Sequence, residues 1–223
     1  MRAMILAAGR GQRLRPLTDT CPKPLLKIAG KALIEYHIQA LSQVGIKEIV
    51  INVCYLGEQI KKALGSGKKW GVALEYSEED PVLETGGGIV KALPLLGDTP
   101  FLVLSSDIWT DFDFQSLQIS DEALAHLVLV DTPGYKQVGD FGLEGNRVVP
   151  TKQYTYGNIG LYRPELFKNC PEGVAFPLGE LLNKAIKAGQ VRGTYFDGLW
   201  SNIGTAEDLY QTQASVPLFN PSS

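Results

Sequence analysis

The first thirty-one residues constrain this chain most. Met4-Ile5-Leu6 is a short apolar run that reads as a buried strand, and it empties directly into Ala7-Ala8-Gly9-Arg10-Gly11-Gln12-Arg13. Gly9 and Gly11 carry no Cβ, so successive backbone N–H groups are able to turn toward one anion. Charge points the same way. Residues 1–31 hold seven Lys and Arg (Arg2, Arg10, Arg13, Arg15, Lys23, Lys27, Lys31) against one acid, Asp19, a net +6 in a chain of net −3. Everything after them sums to −9. Such a concentration repels itself unless a polyanion sits against it, and a phosphate-rich ligand is expected.

Strand and helix patterns alternate through the first half. Leu33, Ile34, His37, Ile38, Leu41 and Val44 recur at helical spacing, which predicts a helix over about 31–44 that ends before Gly45. Glu48–Val53 reads as a strand, Gln59–Leu64 as a helix closed by Gly65, and Val72–Tyr76 as the next strand. A helix over Gly88–Leu96 and a buried strand at Phe101–Leu104 follow. This alternation predicts βαβ units around a mostly parallel sheet. Beyond residue 120 the rhythm changes. Ala125–Val130, Phe141–Leu143, Arg147–Val149 and Asn158–Tyr162 read as strands separated by Gly, Asp and Asn turns, the pattern of hairpins on one edge. A helix over Phe176–Gly189, a strand over Gln190–Phe196 and a helix over Thr205–Gln213, capped by Thr205, complete the pattern.

The 223 residues are 44% hydrophobic and 20% charged, which suits one α/β domain over 1–216 in two halves that divide near 110. Residues 217–223 are expected to be a disordered tail. No apolar run approaches a membrane span, and Met4–Ala8 is too short for a signal-peptide core. Cys21, Cys54 and Cys170 are odd in number and widely spaced, which argues against disulfide and zinc frameworks and fits a reducing cytoplasm. The basic residues gather in one segment of an acidic chain, so neither nucleic acid nor membrane is an expected partner.

Two familiar phosphate loops are absent. No G-x-x-x-x-G-K-[ST] occurs, and G-x-G-x-x-G would need glycine where Leu14 stands. The whole string Leu6-Ala-Ala-Gly-Arg-Gly-Gln-Arg-Leu-Arg-Pro-Leu-Thr18, with Pro22-Lys23-Pro24-Leu25 and Gly30-Lys31-Ala-Leu-Ile-Glu-Tyr36, resembles the signature of sugar-phosphate nucleotidylyltransferases. The resemblance implies a Rossmann-like three-layer fold, a mostly parallel mixed sheet with helices on both faces. It implies a nucleotide half to about residue 110 and a sugar half beyond, with UTP, a sugar-1-phosphate and pyrophosphate as ligands. Such a transfer requires alignment of two anions and neutralisation of charge at the α-phosphorus.

Residue by residue, the resemblance gives the Gly9 and Gly11 amides and the Arg13 and Lys23 side chains to the triphosphate, with Leu6, Ala7 and Ala8 walling the base. Arg10 and Arg15 read as solvated loop arginines. Asp107 follows the Phe101–Leu104 strand where the family ends a strand in N-G-D and holds Mg²⁺, but here the triplet is Ser105-Ser106-Asp107. The second metal ligand is expected at Asn202 of Trp200-Ser-Asn-Ile-Gly-Thr205, where many relatives carry Asp, so weaker Mg²⁺ affinity is expected. Leu83-Glu84-Thr85-Gly86-Gly87-Gly88 stands where the family has L-G-T-A/G-G-A, which assigns Thr85 and the Gly86 and Gly87 amides to a pyrimidine edge within a loop 77–88. Glu84 replaces the usual glycine, and Glu79 falls roughly where a base-reading glutamine sits in uridylyl- and thymidylyltransferases but is read as an exposed acid. Ser105, Asp140, Asn158 and Lys152 are the expected sugar-side residues; Asp111 and Asp113 read as caps, His37 and His126 as structural.

Compact length with L-E-T-G-G-G and G-D-F is most similar to uridylyltransferases that use N-acetylmuramate-1-phosphate in peptidoglycan recycling. Guanylyltransfer to mannose-1-phosphate, thymidylyl- or uridylyltransfer to glucose-1-phosphate, cytidylyltransfer to phosphocholine, and a non-catalytic nucleotide-sugar sensor remain open at this point.

Overall fold

Strict alternation along the central strands explains the layering. In β1 (Ala3–Leu6), Ala3 and Ile5 enter one apolar cluster and Met4 the other; in β4 (Glu48–Val53), Ile49, Ile51 and Val53 enter the first and Val50 the second. Both faces of these strands are therefore buried, as a helix-covered parallel sheet requires. The computed structural model describes residues 1–216; the tail expected at 217–223 lies outside them.

The remaining elements of the first half are β2 (Lys27–Ile28), β3 (Lys31–Ala32), α1 (Leu33–Gln43), α2 (Gly57–Leu64), β5 (Ala73–Glu78), α3 (Glu84–Leu96), β6 (Phe101–Ser105) and β7 (Ile108–Thr110). The second half adds β8 (Ala125–Val130), β9 (Phe141–Glu144), β10 (Arg147–Tyr162), α4 (Leu178–Lys187), β11 (Val191–Tyr195), β12 (Trp200–Asn202) and α5 (Ala206–Ser215). The main sheet runs β11-β8-β10-β6-β1-β4-β5, with β9 paired to β10. Strands β6, β1, β4 and β5 are mutually parallel, and β10 runs antiparallel to β6, β8 and β9. Helices α1 and α2 pack one face through Ile34, Ile38, Leu41, Ile60 and Leu64; α3 and α4 pack the other through Ile89, Val90, Leu96, Leu182 and Ile186. The expected three-layer fold with a mostly parallel mixed sheet is present.

Three expectations need correction. Arg147–Val149 and Asn158–Tyr162 are not separate hairpin strands but the two ends of the sixteen-residue β10, and β10 lies inside the sheet between β8 and β6. Two shifts of register absorb the turn-like residues between them, one at 149–154 against β9 and one at 156–160 against β8. Asn158 takes the left-handed conformation (φ 57°) at the second, which asparagine tolerates. Helix α3 begins at Glu84 rather than Gly88, so the glycine run is its first turn and not a loop. Glu79, expected to be exposed, is 4% exposed.

A third apolar cluster sets the site. Leu14, Leu26, Ile28 and Leu33 pack with Trp109, Ile203 and Leu209, which roots the basic N-terminal segment on β7, the β12–α5 connection and α5. Thr205 caps α5 as expected, accepting from Asp208 N (3.2 Å) while the Asp208 carboxylate accepts from Thr205 N (2.7 Å).

Candidate active site

Three parallel strands deliver their carboxyl ends to one place. Leu6 is in register with Asn52 of β4 on one side and Ser105 of β6 on the other. The chain turns to opposite sides of β1 to make these pairings, a switch point of the kind where open α/β sheets bind ligands. A cleft of about 570 Å³ opens there, lined by Leu6, Ala7, Ala8, Gly9, Gly11, Arg13, Lys23, Thr85, Ser105, Asp107 and Asn158. The structure thus gathers most of the sequence-predicted residues in one cavity. Gln12, Pro24, Asn52, Val82, Glu84, Ser106, Tyr156 and Gly204 line it too.

Local geometry explains the loop. Gly11 has φ 61°, and a Cβ there would stand 2.9 Å from Thr18 Cγ2 and 3.2 Å from Lys23 Cβ. Thr18 Oγ1 donates to Gly11 O at 2.8 Å, which folds the chain back so that Lys23 enters beside the glycine. Gly204 clears space for Arg13, since a Cβ there would come within 2.9 Å of Arg13 Nη2. Outside the cleft lining, Arg15 pairs with Asp19 (3.1 Å) and Arg10 stacks over Tyr55, and both arginines are exposed.

Lys23 Nζ contacts Asp107 Oδ2, and Ser105 Oγ donates to Asp107 Oδ1 at 2.6 Å. The pair keeps both charges in a part-buried cleft without leaving either alone. Asn202 reaches the same spot across a two-stranded ribbon: it is in register with Ile108, and Ile203 N donates to Asp107 O at 2.8 Å. Asn202 Oδ1 is buried and has no hydrogen-bond partner among the described residues. Its side chain is hydrogen-bonded to the exposed Tyr135, whose pKa burial and the Asp107 and Asp208 charges push up, against that bond and Arg13. An acidic oxygen and an orphaned amide oxygen on neighbouring stretches of backbone are donors of the kind Mg²⁺ takes, an ion that leaves several positions to water and phosphate. No group of three or more His, Cys, Asp or Glu that could hold a metal occurs among the described residues. The donor set therefore suits an ion shared with phosphates rather than a protein-only cage.

A second hollow of about 890 Å³ adjoins the first through Thr85, Tyr156 and Asn158 and holds Asp140, Lys152 and Asn202. Asp140 is already engaged: Lys136 Nζ contacts both its oxygens (2.7 and 2.6 Å) and Tyr156 N donates to Oδ2 at 3.0 Å. Lys152 is exposed. The Tyr156 hydroxyl pairs with Tyr162 Oη (2.6 Å), and burial pushes its pKa well up.

Gly86 and Gly87 are not in the lining. Their amides both donate to Phe176 O (2.9 and 3.4 Å), and Cβ atoms on them would fall 2.2 Å from Phe176 Cε2 and 2.3 Å from Val174 O. The structure thus places these glycines in close packing against the 174–176 segment and does not bring them into the cleft with Thr85. Glu84 stands at φ 57°, which explains why glycine suits this position elsewhere and makes the glutamate a locally costly choice. Asp111 and Asp113 take backbone donors from Leu199 and Gln115, as turn residues do.

A nucleotidyl transferase family model matches residues 2–144. The chain belongs to the nucleotidyl transferase family. It is 45% identical, over 96% of its length and 97% of the relative's, to the N-acetylmuramate alpha-1-phosphate uridylyltransferase of Neisseria meningitidis serogroup B. Identity to the protein of the same name from Caulobacter vibrioides is 32%, over 96% of each chain. A solved structure from Bacillus anthracis, provisionally named a glucose-1-phosphate thymidylyltransferase, superposes with a TM-score of 0.87 over 100% of this chain and 98% of that one, at 22% identity. This transferase is thus a sugar-1-phosphate nucleotidylyltransferase by family. No helix among its described residues is long and apolar enough to cross a membrane.

Proposed function

We propose that the chain transfers a uridylyl group from UTP to N-acetylmuramate α-1-phosphate, giving UDP-N-acetylmuramate and pyrophosphate, as a cytoplasmic step of peptidoglycan recycling. The observation that carries the substrate is the end-to-end 45% identity to a relative of that name, with 97% of the relative's length covered. In the reaction an ionised oxygen of the sugar phosphate bonds to the α-phosphorus of UTP, and the α-phosphorus–oxygen bond to the β-phosphate breaks as pyrophosphate leaves.

The residues divide the work by place. Arg13, with the Gly9 and Gly11 backbone, faces the triphosphate, and Lys23 meets charge at the α-phosphate. Leu6, Ala7, Ala8 and Thr85 wall the base, while Ser105, Asn158, Asp140 and Lys152 face the sugar phosphate. Asp107 and Asn202 would hold Mg²⁺, which when bound supplies positive charge to the phosphates. No general base is required, because the attacking oxygen is ionised at neutral pH.

The test is pyrophosphate release with Mg²⁺, offering UTP, dTTP, GTP and CTP against N-acetylmuramate-, N-acetylglucosamine-, glucose- and mannose-1-phosphates. The expected outcome is a strong preference for UTP with N-acetylmuramate-1-phosphate. Preference for GTP with mannose-1-phosphate would overturn the substrate and keep the reaction class. Lys23→Ala should lower kcat by on the order of 10²–10³ in the preferred pair.

A further inference from the structure

The nucleotide cleft has two walls from different elements: Leu6–Ala8 at the end of β1, and Val82–Thr85 leading into α3. A chain of three short hydrogen bonds joins them at the cleft floor, where Asn52 is part of the lining and Glu79 lies behind it. Ala7 N donates to Asn52 Oδ1, Asn52 Nδ2 donates to Glu79 Oε1, and Leu83 N donates to Glu79 Oε2, each at 2.7 Å. Asn52 and Glu79 are 3% and 4% exposed, so water does not substitute for a lost partner. Gly88 leaves room for the chain, since a Cβ there would stand 2.6 Å from Glu79 Oε1 and 3.1 Å from Asn52 Nδ2.

The polarity of this chain is fixed by its ends. Both are backbone N–H groups, which only donate. An amide side chain accepts on one side and donates on the other, so it passes polarity along without reversing it. Two facing donors are reconciled only if one member accepts on both sides. Glu79 is that member. Glutamine at the same place would leave two donors facing each other, whichever way its amide or that of Asn52 were turned.

We propose that Glu79, acting through Asn52, is a positioning residue that holds the two walls of the cleft at the spacing the nucleotide requires, without itself touching the nucleotide. This rests on reading the cleft as the nucleotide site. Any two side chains of the right polarity would serve, which gives a specific test. Exchanging the two chemistries, Asn52→Asp together with Glu79→Gln, restores the pattern with net charge unchanged. The new carboxylate at position 52 accepts from Ala7 N, and the new amide at position 79 donates to it while accepting from Leu83 N.

UTP binding with Mg²⁺ is measured by calorimetry, alongside steady-state kinetics and thermal unfolding, for wild type, Glu79→Gln, Asn52→Asp and the double variant. Each single change should weaken UTP binding about tenfold, seen in KM more than in kcat, because a buried donor or acceptor is left unmatched. The double variant should return to within about threefold of wild type, since every group again has a partner. A double variant as weak as the singles, or weaker, overturns the proposal. So does a loss of melting temperature in the singles with UTP affinity unchanged, which would make the chain a support for the fold alone. If the singles do not fold, the double variant decides: folded with near wild-type affinity supports the proposal, unfolded overturns it. Should wild type prefer another nucleoside triphosphate, the uridylyl reading falls, and the exchange run with that nucleotide still decides the role of Glu79.

Discussion

Asn202 is the residue at which this chain departs most consequentially from its family pattern. A buried acceptor without a donor costs roughly 1–3 kcal/mol, and Asn202 Oδ1 is one. A cation held between Asn202 and Asp107, as proposed above, would remove that cost, with one negative charge fewer at the site than an aspartate would give. Asn202→Asp should therefore lower the Mg²⁺ concentration at half-maximal activity by on the order of tenfold, read from a magnesium titration of pyrophosphate release. An unchanged midpoint would remove Asn202 from the metal site. Gly11, Lys23 and Asp107 were picked out in the sequence by their resemblance to the family's motifs, and the structure brings the three to one cleft. Asn52 and Glu79 were not legible in the same way, because their role depends on partners 27 residues apart and on Ala7 and Leu83. Besides the place of Glu79 near a base-reading position of the family, the available signal was Asn52 itself, the lone polar residue between the apolar positions of Ile49-Val50-Ile51 and Val53. A polar side chain there demands a hydrogen-bond partner.

At the scale of elements, the sequence pattern located all five α-helices of the described residues and the longer strands. It missed β2, β3, β7 and β12, strands of two or three residues too short to show a period. The other errors fall where tertiary contacts overrule local preference. The glycine run 86–88 has weak helix propensity, yet it forms the first turn of α3 because three close approaches exclude any side chain. At Gly87 the obstacle is backbone, the Val174 carbonyl, which does not swing aside as a side chain would. Gly87→Ala should destabilise the fold by about 1–3 kcal/mol, measured by denaturant unfolding, rather than selectively weaken base recognition. A variant of full stability with impaired UTP selectivity would instead return this glycine to the base. His37, on the α1 face toward β7, makes a second case. Burial lowers its pKa to about 4 against the pull of the Ile108 and Ser106 backbone and the Asp107 charge. Between about 6.5 and 4 the unfolded chain binds the proton that the folded protein refuses, so stability is full above this window and falls as pH drops through it. The shift corresponds to at most roughly 3 kcal/mol. His37→Gln should flatten that limb of the stability–pH curve, and an unchanged limb would place the titration elsewhere.

The division into halves expected near residue 110 is not drawn by the sheet or by the core. Strand β10 belongs to the later half and pairs with β6 of the earlier one, and Gly160, Leu161 and Tyr162 each pair with β6 on one side and β8 on the other. Each main apolar cluster mixes the halves: Ile5 and Ile51 with Val128 and Ile159, Met4 and Val50 with Leu127 and Tyr162. A boundary at 110 would have to cut through both clusters and a β ladder, and few contacts cross a true domain boundary. The two hollows thus open on one continuous sheet, and Tyr156 and Asn158 of β10 line both. We expect a single cooperative unfolding transition in urea, with far-UV circular dichroism and tryptophan fluorescence (Trp70 in the first half, Trp200 in the second) giving one midpoint. UTP with Mg²⁺ should raise the stability reported by both probes equally, by about 2.7 kcal/mol at a hundredfold excess over Kd. Separate midpoints, or a ligand shift confined to one probe, would mean that the halves unfold as independent units and that the shared strand does not couple them.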